Sequence, residues 1–515
     1  MKKSIFAAFV VSLGGFLFGF DAGIISGVMS YAGPEFNLND FQTGWVVSSP
    51  SFTAMFAMLI SGRLSDIIGR KKLLILAAFL YAASIVLSAY SFSYEMLYIA
   101  RMIGGIAFGI ALVIAPTYIA EVSLAENRGK LVSIQQLNIV LGFFAAFLSN
   151  YYFNYLHTSG QTSFLTEENV WRWMLGIVII PSVVYYIFLF FVPESPRWLF
   201  TQKRDIEAEK VLISMHGEEK AELEMKSIIE SLKEENQNSE KPKIKDLFKP
   251  SLKFVFTVGL VIGVLQQITG INAIYFYATS IFKQTGIGND ASFSSGVLLS
   301  FITVAFTIVA MFLIDKMGRR PLLLFGVAGI AISMTLCAYG FKEAKYQLTL
   351  EKITLLETSI AQKLNPIAGK IYDTDVDFKK EMKSTLGEQT YAKNEGTILE
   401  MATQMNAVLV LVGVMGFIAC FAFSLGPVMW VLLSELFPNR YRGLAIGVIG
   451  FVNGLVSWVV QQVFPWELSN LGNAVTFSIF GGIAFIGFYI LYKILPETKG
   501  KSLEQIERDF VKQEI

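Results

Sequence analysis

Long apolar stretches alternate with short polar ones along most of the 515 residues of this chain. Each apolar stretch is about 20 residues long, which is the length that a helix needs to cross the hydrocarbon core of a bilayer. Because a β-barrel would instead show alternating segments of about ten residues, the pattern predicts an all-α polytopic membrane protein. Twelve stretches can be counted, at about 5–30, 43–62, 73–91, 96–120, 131–153, 172–192, 254–281, 294–314, 321–341, 404–434, 443–465 and 474–495.

The composition supports this fold class. Hydrophobic residues make up 54% of the chain and charged residues only 16%, against about a quarter in soluble domains. Cys337 and Cys420 both lie in apolar stretches and are expected to be small core residues. With two histidines and no cysteine pair at metal spacing, the chain is expected to hold no metal or other cofactor. The formal net charge of +1 carries no information about partners, and no nucleic-acid partner is expected.

The distribution of charge predicts the orientation. Lysine and arginine crowd alternate connections, while the other connections carry mainly acidic residues. Since basic connections stay in the cytoplasm, both termini are predicted to be cytoplasmic. The start MKKSIFAAFV resembles a signal peptide, but no small-residue cleavage pattern follows it. We therefore interpret it as the beginning of the first span.

Three motifs occur once in each half of the chain. GRLSDIIGRKK pairs with FLIDKMGRRP, AEVSLAENRGK with SELFPNRYRG, and PESPRW with PETKG. Internal repeats of this kind are typical of secondary transporters. The predicted organisation is an N-terminal six-helix bundle at 1–192, a cytoplasmic helical linker at 193–252, a C-terminal six-helix bundle at 253–495 and a cytoplasmic tail at 496–515.

The second half contains an insertion. Its matching landmarks lie about 65 residues further apart than in the first half, which places the extra segment at 342–404, on the extracellular side by the predicted topology. Either an amphipathic helix or a mobile loop is compatible with the sequence. The helix is suggested by the spacing of Leu348, Leu355, Leu356, Ile360 and Leu364. The linker pattern at 205–235 predicts short amphipathic helices, which either brace the two halves or connect them passively.

A single carboxylate interrupts the first apolar stretch. Asp21, in FGFDAGIISG, is the only charge between Ile5 and Tyr31, and an ionisable residue at membrane depth is a functional candidate that needs a partner. At about 1.5 Å of rise per residue, Arg101 of the fourth span lies at a similar depth. We predict that the two residues pair and carry proton coupling. A buried ion pair is weak evidence of stability, so a functional reason for this pair is favoured. A permanent pair that only fixes helix packing is the alternative.

The repeated motifs resemble those of a known family. The pattern G-x3-D-x2-G-R-[KR] at Gly62, Asp66, Gly69, Arg70 and Lys71 resembles the loop signature of the major facilitator superfamily. PESPRWL, the paired E-x6-R segments and PETKG are similar to the sugar porter family, over about 14–503 without the insertion. The resemblance implies two six-helix bundles around a central cavity and alternating-access transport of a hexose, pentose or polyol. A functional monomer in the lipid bilayer is expected.

Within this family, LFGFDAGIISG is most similar to bacterial proton-coupled sugar symporters. The mammalian glucose facilitators, which the chain also resembles, carry a neutral residue in place of Asp21. The resemblance also pairs Asp21 with Arg101.

A sugar site needs amides, which both donate and accept hydrogen bonds as hydroxyls do, together with flat apolar faces. The seventh span supplies amides in GVLQQITGINAIYFY, where Gly270 is expected to break the helix. The candidate sugar-binding residues, which match sugar-contacting positions of the family, are Gln136, Gln266, Gln267, Asn272, Tyr277, Trp430 and Asn453. Each of these polar residues taken alone could instead hold helices together.

The chain departs from the family at three positions near this site. Gly454 stands where the family often has a tryptophan, Thr303 where it often has an asparagine, and Phe276 replaces the first member of a tyrosine pair. These departures leave the choice between hexose, pentose and cyclic polyol open.

The charged motifs are predicted to form a cytoplasmic gate. Carboxylates and guanidiniums at this spacing can form bidentate pairs. If such pairs join the two halves only when the cavity faces outward, they stabilise the outward-facing state. A solvated basic rim is the alternative, since exposed pairs contribute only about 0–1 kcal/mol each. The candidate gate residues are Asp66, Arg70, Glu121 and Arg128 in the first half and Asp315, Arg319, Glu435 and Arg442 in the second.

These observations predict a proton-coupled symporter of a monosaccharide or cyclic polyol in the cell (inner or plasma) membrane. An uncoupled facilitator with the same sugar site is the main alternative. A sugar sensor is less favoured, because sensors usually carry a long signalling extension and only about twenty residues follow Pro496. An enzyme finds no support, since no nucleophile elbow, metal cluster or phosphate-binding loop occurs in the sequence.

Overall fold

The computed structural model describes residues 2–124, 126–237, 243–499 and 505. Within them, twelve helical spans are long and apolar enough to cross a membrane, which confirms the predicted all-α polytopic fold. Helices suit this environment because they satisfy every backbone hydrogen bond internally. The first six spans are α1 (Lys2–Glu35), α2 (Asp40–Ile68), α3 (Arg70–Ala89), α4 (Tyr94–Val122), α5 (Arg128–Thr158) and the pair α6 (Val170–Gly176) and α7 (Ile179–Leu189).

The linker folds into short helices with a small core of their own. Trp198, Leu212 and Ile228 are among the buried residues of that core. The linker contacts the first and fourth spans at its beginning and the seventh and eleventh spans at its end, so it touches both halves. Its helices are α8 (Pro196–Thr201), α9 (Asp205–His216) and α10 (Glu218–Gln237), followed by a 3-10 helix at Ile244–Phe248.

The seventh span is broken, as Gly270 predicts. Gly270 adopts φ of 92°, a conformation that residues with a side chain rarely take. The helix is interrupted there and again at Tyr277. The spans from the seventh to the ninth are α11 (Lys253–Ile268), α12 (Ile271–Phe276) and α13 (Ala278–Lys283), then α14 (Asn289–Met317), then α15 (Arg319–Lys342).

The insertion between the ninth and tenth spans is a folded unit, so the alternative of a mobile loop does not describe it. A three-stranded antiparallel sheet in the order β2-β1-β3 closes its base. Around the sheet lie a 3-10 helix at Asn365–Ile367 and four helices. In chain order the elements are β1 (Lys345–Gln347), α16 (Leu350–Ile353), α17 (Thr358–Leu364), β2 (Ile371–Tyr372), α18 (Asp375–Leu386), α19 (Glu388–Ala402) and β3 (Thr403–Gln404).

The helical spacing noted in the insertion is only partly realised. Leu348, Ile360 and Leu364 are buried in the core of the unit. A turn at 354–357 interrupts the predicted helix, however, and leaves Leu355 74% exposed. The core of the unit is built instead around aromatic residues such as Tyr346 and Phe378, whose rings stack at 5.5 Å.

The last three spans complete the second half. The tenth span breaks at Ser424, two residues before Gly426-Pro427. Cys337 is fully buried, as predicted, whereas Cys420 is only half-buried; both are free. The spans are the pair α20 (Ala407–Phe423) and α21 (Leu425–Leu436), then α22 (Asn439–Asn470) and α23 (Asn473–Ile494).

Small residues allow close helix packing within each half. A Cβ on Gly19 of α1 would lie 1.9 Å from the Ile139 carbonyl oxygen of α5, and one on Gly142 of α5 would lie 2.1 Å from the Phe16 carbonyl oxygen of α1. Glycines are therefore required at this crossing, as is common where membrane helices approach each other. The two halves meet mainly where α2 packs on α22 and α5 packs on α14.

We call the end of the bundle that carries residues 342–404 the insertion end, and the opposite end, beside α8–α10, the linker end. Polar contacts join the halves at the insertion end. Asn154 donates to the Asp290 carboxylate at 2.6 Å, and Ser469 donates to the Asp40 carboxylate at 3.0 Å. Ser26 of α1 bonds to the Thr279 hydroxyl at 3.0 Å. The structure is therefore one in which the insertion end is closed.

The insertion is docked on the second half. The Asp375 carboxylate accepts hydrogen bonds from the backbone and side-chain nitrogens of Asn473, at the start of α23, at 3.2 and 2.7 Å. Gln284 donates to Glu395 of α19 at 3.3 Å. Helix α19 also contacts α1 of the first half.

Candidate functional site

The break in the seventh span groups three amides. Gln266 and Gln267 lie at the end of α11, and Asn272 lies in the first turn of α12, just after Gly270. The Asn272 side-chain nitrogen donates to Gln267 Oε1 at 2.9 Å, and the Gln267 nitrogen lies 3.3 Å from Gln266 Oε1. The break therefore brings amides together that a continuous helix would distribute around its circumference.

Asn453 of α22 completes this group. Its side-chain nitrogen donates to Gln266 Oε1 and to the Gly263 carbonyl, both at 2.8 Å, and its oxygen accepts from Gln267 at 3.2 Å. Gln266, Gln267 and Asn453 are 5%, 9% and 7% exposed. We call Gln266, Gln267, Asn272 and Asn453 the amide cluster. Buried amides that bond to one another keep further donors and acceptors for a ligand rich in hydroxyls.

Two members of the surrounding network were missed in the sequence. Asn272 also donates to Ser457 Oγ at 2.6 Å, and Gln461 donates to the same oxygen at 2.7 Å. Ser457 and Gln461 follow Asn453 at intervals of four, so all three lie on one face of α22. That spacing was a signal in the sequence that could have identified them.

The tyrosines of the seventh span are held in different ways. Tyr277 donates its hydroxyl to the Gln461 carbonyl at 3.0 Å, which places it beside the network. Tyr275 shares a hydrogen bond of 2.7 Å with Thr303 of α14 and stacks on Phe143 of α5 at 4.7 Å. Thr303, one of the departures from the family pattern, thus fixes an aromatic ring at the boundary between the halves.

The remaining predicted sugar residues lie outside the hydrogen-bonded cluster. Gln136 is partly buried on α5, and within the described part of the chain no hydrogen bond joins it to the amides. Trp430 is on α21, after the break in the tenth span, and its side chain is 44% exposed. An exposed indole offers the flat apolar face that a sugar ring needs. Both residues stay predictions as sugar contacts.

Asp21 and Arg101 are close, as their depths predict. Arg101 Nη1 lies 3.4 Å from Asp21 Oδ1, and the Asp21 side chain is 20% exposed against 3% for Arg101. Arg101 also donates through Nε to the Val46 carbonyl of α2 at 2.9 Å. The guanidinium is therefore fixed between α2 and α4. The carboxylate of α1 makes one long ion pair among the described residues and is partly accessible to solvent.

Three candidate gate residues of the first half form one cluster at the linker end. Arg70 makes a bidentate pair with Glu121, at 3.0 and 3.1 Å, and contacts Asp66 at 2.9 Å. Glu194 of the PESPRW motif accepts from the backbone nitrogens of Arg70 and Lys71, both at 3.0 Å. It thereby satisfies donors at the start of α3 that have no partner within the helix.

The second half repeats this cluster. Arg319 Nη2 lies 2.8 Å from Glu435 Oε1, and Glu497 of the PETKG motif accepts from the backbone nitrogens of Arg319 and Arg320 at 3.2 and 3.0 Å. The pairs named here join residues of the same half. Glu194 and Glu497 were not among the predicted gate residues, although the repeated P-E dipeptide was a signal for them.

The structure describes the side chain of one of the three remaining gate candidates. Arg442 donates to the Phe437 carbonyl at 3.3 Å, which is a contact at the end of its own helix. The side chains of Arg128 and Asp315 lie outside the described part of the chain. Most of the predicted tail at 496–515 lies outside it as well.

An apolar groove of about 510 Å³ lies between α1 and the sixth span. Its lining consists of apolar residues such as Phe16, Phe20 and Pro181. It offers no partner for a hydroxyl, so the amide cluster remains the candidate site for a polar ligand.

Comparisons with known proteins identify the family of the chain. A protein-family model described as "Sugar (and other) transporter" matches residues 7–353 and 386–510, so its gap lies within the insertion. The arabinose-proton symporter of Bacillus subtilis is 34% identical over 97% of this chain and 93% of that protein. The galactose-proton symporter of Escherichia coli K12 is 31% identical over 99% of this chain and 95% of that protein.

A solved structure has the same architecture. The partially occluded inward-open conformation of the xylose transporter XylE from E. coli aligns with a TM-score of 0.73 and 27% identity, covering 98% of this chain and 100% of that one. The relatives are transporters rather than enzymes, and they support proton-coupled sugar transport in general terms. The chain therefore belongs to the sugar porter family of the major facilitator superfamily.

Proposed function

We propose that the chain is a proton-coupled symporter of a monosaccharide or cyclic polyol in the cell membrane, with both termini in the cytoplasm. In this orientation the insertion end faces outward and the linker end faces the cytoplasm. The observation that carries the proposal is the Asp21–Arg101 pair inside the first bundle. It provides an ionisable group at membrane depth, and the amide cluster provides a separate site for hydroxyls.

The pair is suited to coupling because only one partner is fixed. Arg101 is held by the Val46 carbonyl, whereas the ion pair of 3.4 Å to Arg101 is the one polar contact of Asp21 among the described residues. A carboxylate is charged beside a guanidinium and tends to be neutral in apolar surroundings. A movement of α1 relative to α4 would therefore exchange a proton at Asp21 while the bundle changes the side to which its cavity opens.

Relatives named as proton symporters of arabinose and of galactose support the coupling but differ in their sugar. Both a pentose and a hexose thus remain in the proposal, as does a cyclic polyol. The second candidate function is an uncoupled facilitator, because the amide cluster lies on other helices than Asp21 and could bind sugar without it.

The test is uptake by proteoliposomes, with and without an inward proton gradient. The panel is L-arabinose, D-xylose, D-galactose, D-glucose and myo-inositol. We expect the parent to accumulate at least one of them only with the gradient. Asp21→Asn should abolish accumulation and sugar-induced proton uptake but preserve sugar binding or exchange. Glu95→Gln, which neutralises an exposed carboxylate in the first turn of α4, is the matched control and should keep accumulation.

Uphill accumulation by Asp21→Asn would show that Asp21 only fixes packing and that coupling lies elsewhere. Equal uptake by the parent with and without the gradient, and without accumulation, would favour the facilitator.

A further inference from the structure

A chain of hydrogen bonds connects the amide cluster with the contact between the two halves. Asn272 donates to Ser457 Oγ at 2.6 Å, and Gln461 Nε2 donates to the same oxygen at 2.7 Å. On its other side, Gln461 Oε1 accepts from Ser51 of α2 at 3.1 Å. Three bonds thus lead from a candidate sugar residue of the second half to a helix of the first half.

The neighbouring residue provides a natural comparison. Gln462 Oε1 accepts from Ser48 of α2 at 2.8 Å, and its nitrogen donates to the Phe41 carbonyl at 3.0 Å. Gln461 and Gln462 therefore each bond to a serine of the first half. Of these two glutamines, only Gln461 is also bonded to Ser457 within the described part of the chain. Gln461 is fully buried, whereas Gln462 is at the edge of the contact.

We propose that Gln461 is a positioning residue that links occupation of the sugar site to closure of the insertion end. The inference rests on the proposed sugar site and extends it to a residue whose side chain lies outside the amide cluster. With Nε2 bonded to Ser457, the amide of Gln461 presents its oxygen to Ser51. The bond to Ser457 thus sets the orientation of this amide. That orientation in turn determines whether the contact with Ser51 of the first half can form.

Sugar binding has a direct way to act on this amide. Asn272 uses one nitrogen for both Gln267 and Ser457, so its position is shared between the amide cluster and α22. A hydroxyl bonded to Gln267 or Asn272 restricts these side chains to fewer positions. Ser457 is then held as an acceptor, Gln461 keeps its orientation, and the bond to Ser51 is favoured. The sugar therefore stabilises the closed state through contacts that the open state lacks.

The test measures access to the contact between the halves at a site away from Gln461. Ser26 is 3% exposed and bonds to Thr279 across the halves. A Ser26→Cys reporter in a Cys337→Ala, Cys420→Ala background is thus expected to react with a fluorescent maleimide only when the insertion end opens. Detergent-purified protein is used, so the result does not depend on orientation in a membrane. The sugar added is the member of the panel that the parent binds most tightly.

In the reporter protein, we expect a saturating concentration of this sugar to slow labelling at least about fivefold, the lower end of ordinary coupling between sites. Gln462→Ala should speed labelling without sugar, since a contact between the halves is lost. Sugar should still slow the labelling of this variant by the same factor as in the reporter protein; we call this factor the fold effect. Gln461→Ala should also speed labelling without sugar, and the fold effect should fall to about one. Ser457→Ala, which breaks the chain at a second position, should reduce the fold effect in the same way.

Sugar affinity is measured for every variant so that the site is filled in each comparison. If Gln461→Ala and Gln462→Ala respond equally to sugar, Gln461 is only a contact between the halves and the inference is overturned. If the reporter protein binds no sugar of the panel, the proposed function fails together with the inference. Sugar binding by the reporter protein distinguishes these two failures: it is present when only the inference fails and absent when the proposed function fails.

Discussion

Replacement of Asp375 by alanine should loosen the insertion. Asp375 pairs with Lys379 at 3.2 Å, and their side chains are 9% and 10% exposed. Removal of one partner of a buried ion pair costs about 3–5 kcal/mol, because a buried charge is left uncompensated. The insertion has about 60 residues, for which ordinary stability is about 3–9 kcal/mol in total. The substitution should therefore remove a large part of the stability of this unit.

The effect should appear as opening of the insertion. A loss of about 3–5 kcal/mol in the stability of the insertion raises the population of its open, unfolded form about 150- to 4,000-fold. Limited trypsin digestion of the purified protein, with cleavage sites assigned by mass spectrometry, should show new cuts in Asp375→Ala within 342–404. Intact sugar binding in the same sample would show that the membrane bundle is still folded.

A double variant tests the cause. Asp375→Leu combined with Lys379→Met removes both charges, so it should recover part of the lost resistance to trypsin. The recovery should be incomplete, since the two nitrogens of Asn473 also lose their acceptor and a buried donor without a partner costs about 1–3 kcal/mol. The reasoning is refuted if Asp375→Ala is as resistant as the parent, or if the double variant is less resistant than Asp375→Ala.

Two further predictions concern the amide cluster and the connection to the insertion. Asn272→Ala should weaken sugar binding by about 1–3 kcal/mol, because the hydroxyl and amide partners of Asn272 lose their hydrogen bonds. Isothermal titration calorimetry in detergent measures the affinity. An unchanged affinity for every sugar that the parent binds would remove α12 from the site. Replacement of 346–403 by a short Gly/Ser bridge should leave a folded protein that retains sugar uptake. Size-exclusion chromatography checks that the protein is folded, and proteoliposomes measure its uptake. Failure to fold would show that the insertion is part of the core.

The spans were predictable because one physical requirement dominates them. A stretch of about 20 apolar residues has few alternatives to a membrane helix, and the structure places a span at each of the twelve stretches. The helices extend beyond several stretches, as in α2 (Asp40–Ile68) against the predicted 43–62, because polar residues can continue a helix outside the hydrocarbon core.

The site was predictable only in part. Gln266, Gln267 and Asn272 are conspicuous because amides are costly in an apolar helix. Ser457 and Gln461 belong to the same network, but a serine can satisfy its hydroxyl within its own helix. Their role depends on the distance between α12 and α22, which a single sequence does not contain.

The insertion was the least predictable part of the fold. Its core is formed by residues far apart in the chain, such as Tyr346, Phe378 and Leu399, and each of its helices is too short to show a sustained apolar period. The spacing of leucines in 348–364 therefore suggested a helix, with a mobile loop as the alternative, where two short helices and a turn occur.

The pairing of β1 with β3 has a consequence for the history of this chain. Lys345 lies opposite Gln404, so the chain leaves and re-enters the bundle at two points about 5 Å apart. For the membrane helices, the connection is equivalent to a tight hairpin, whatever the number of residues beyond it. A lineage can therefore acquire, exchange or discard such a unit without changing how its ninth and tenth spans are connected, although the contacts of Asn473 and Gln284 with the unit would be lost. The same property makes the strand pair a natural junction for grafting a foreign domain onto the transporter.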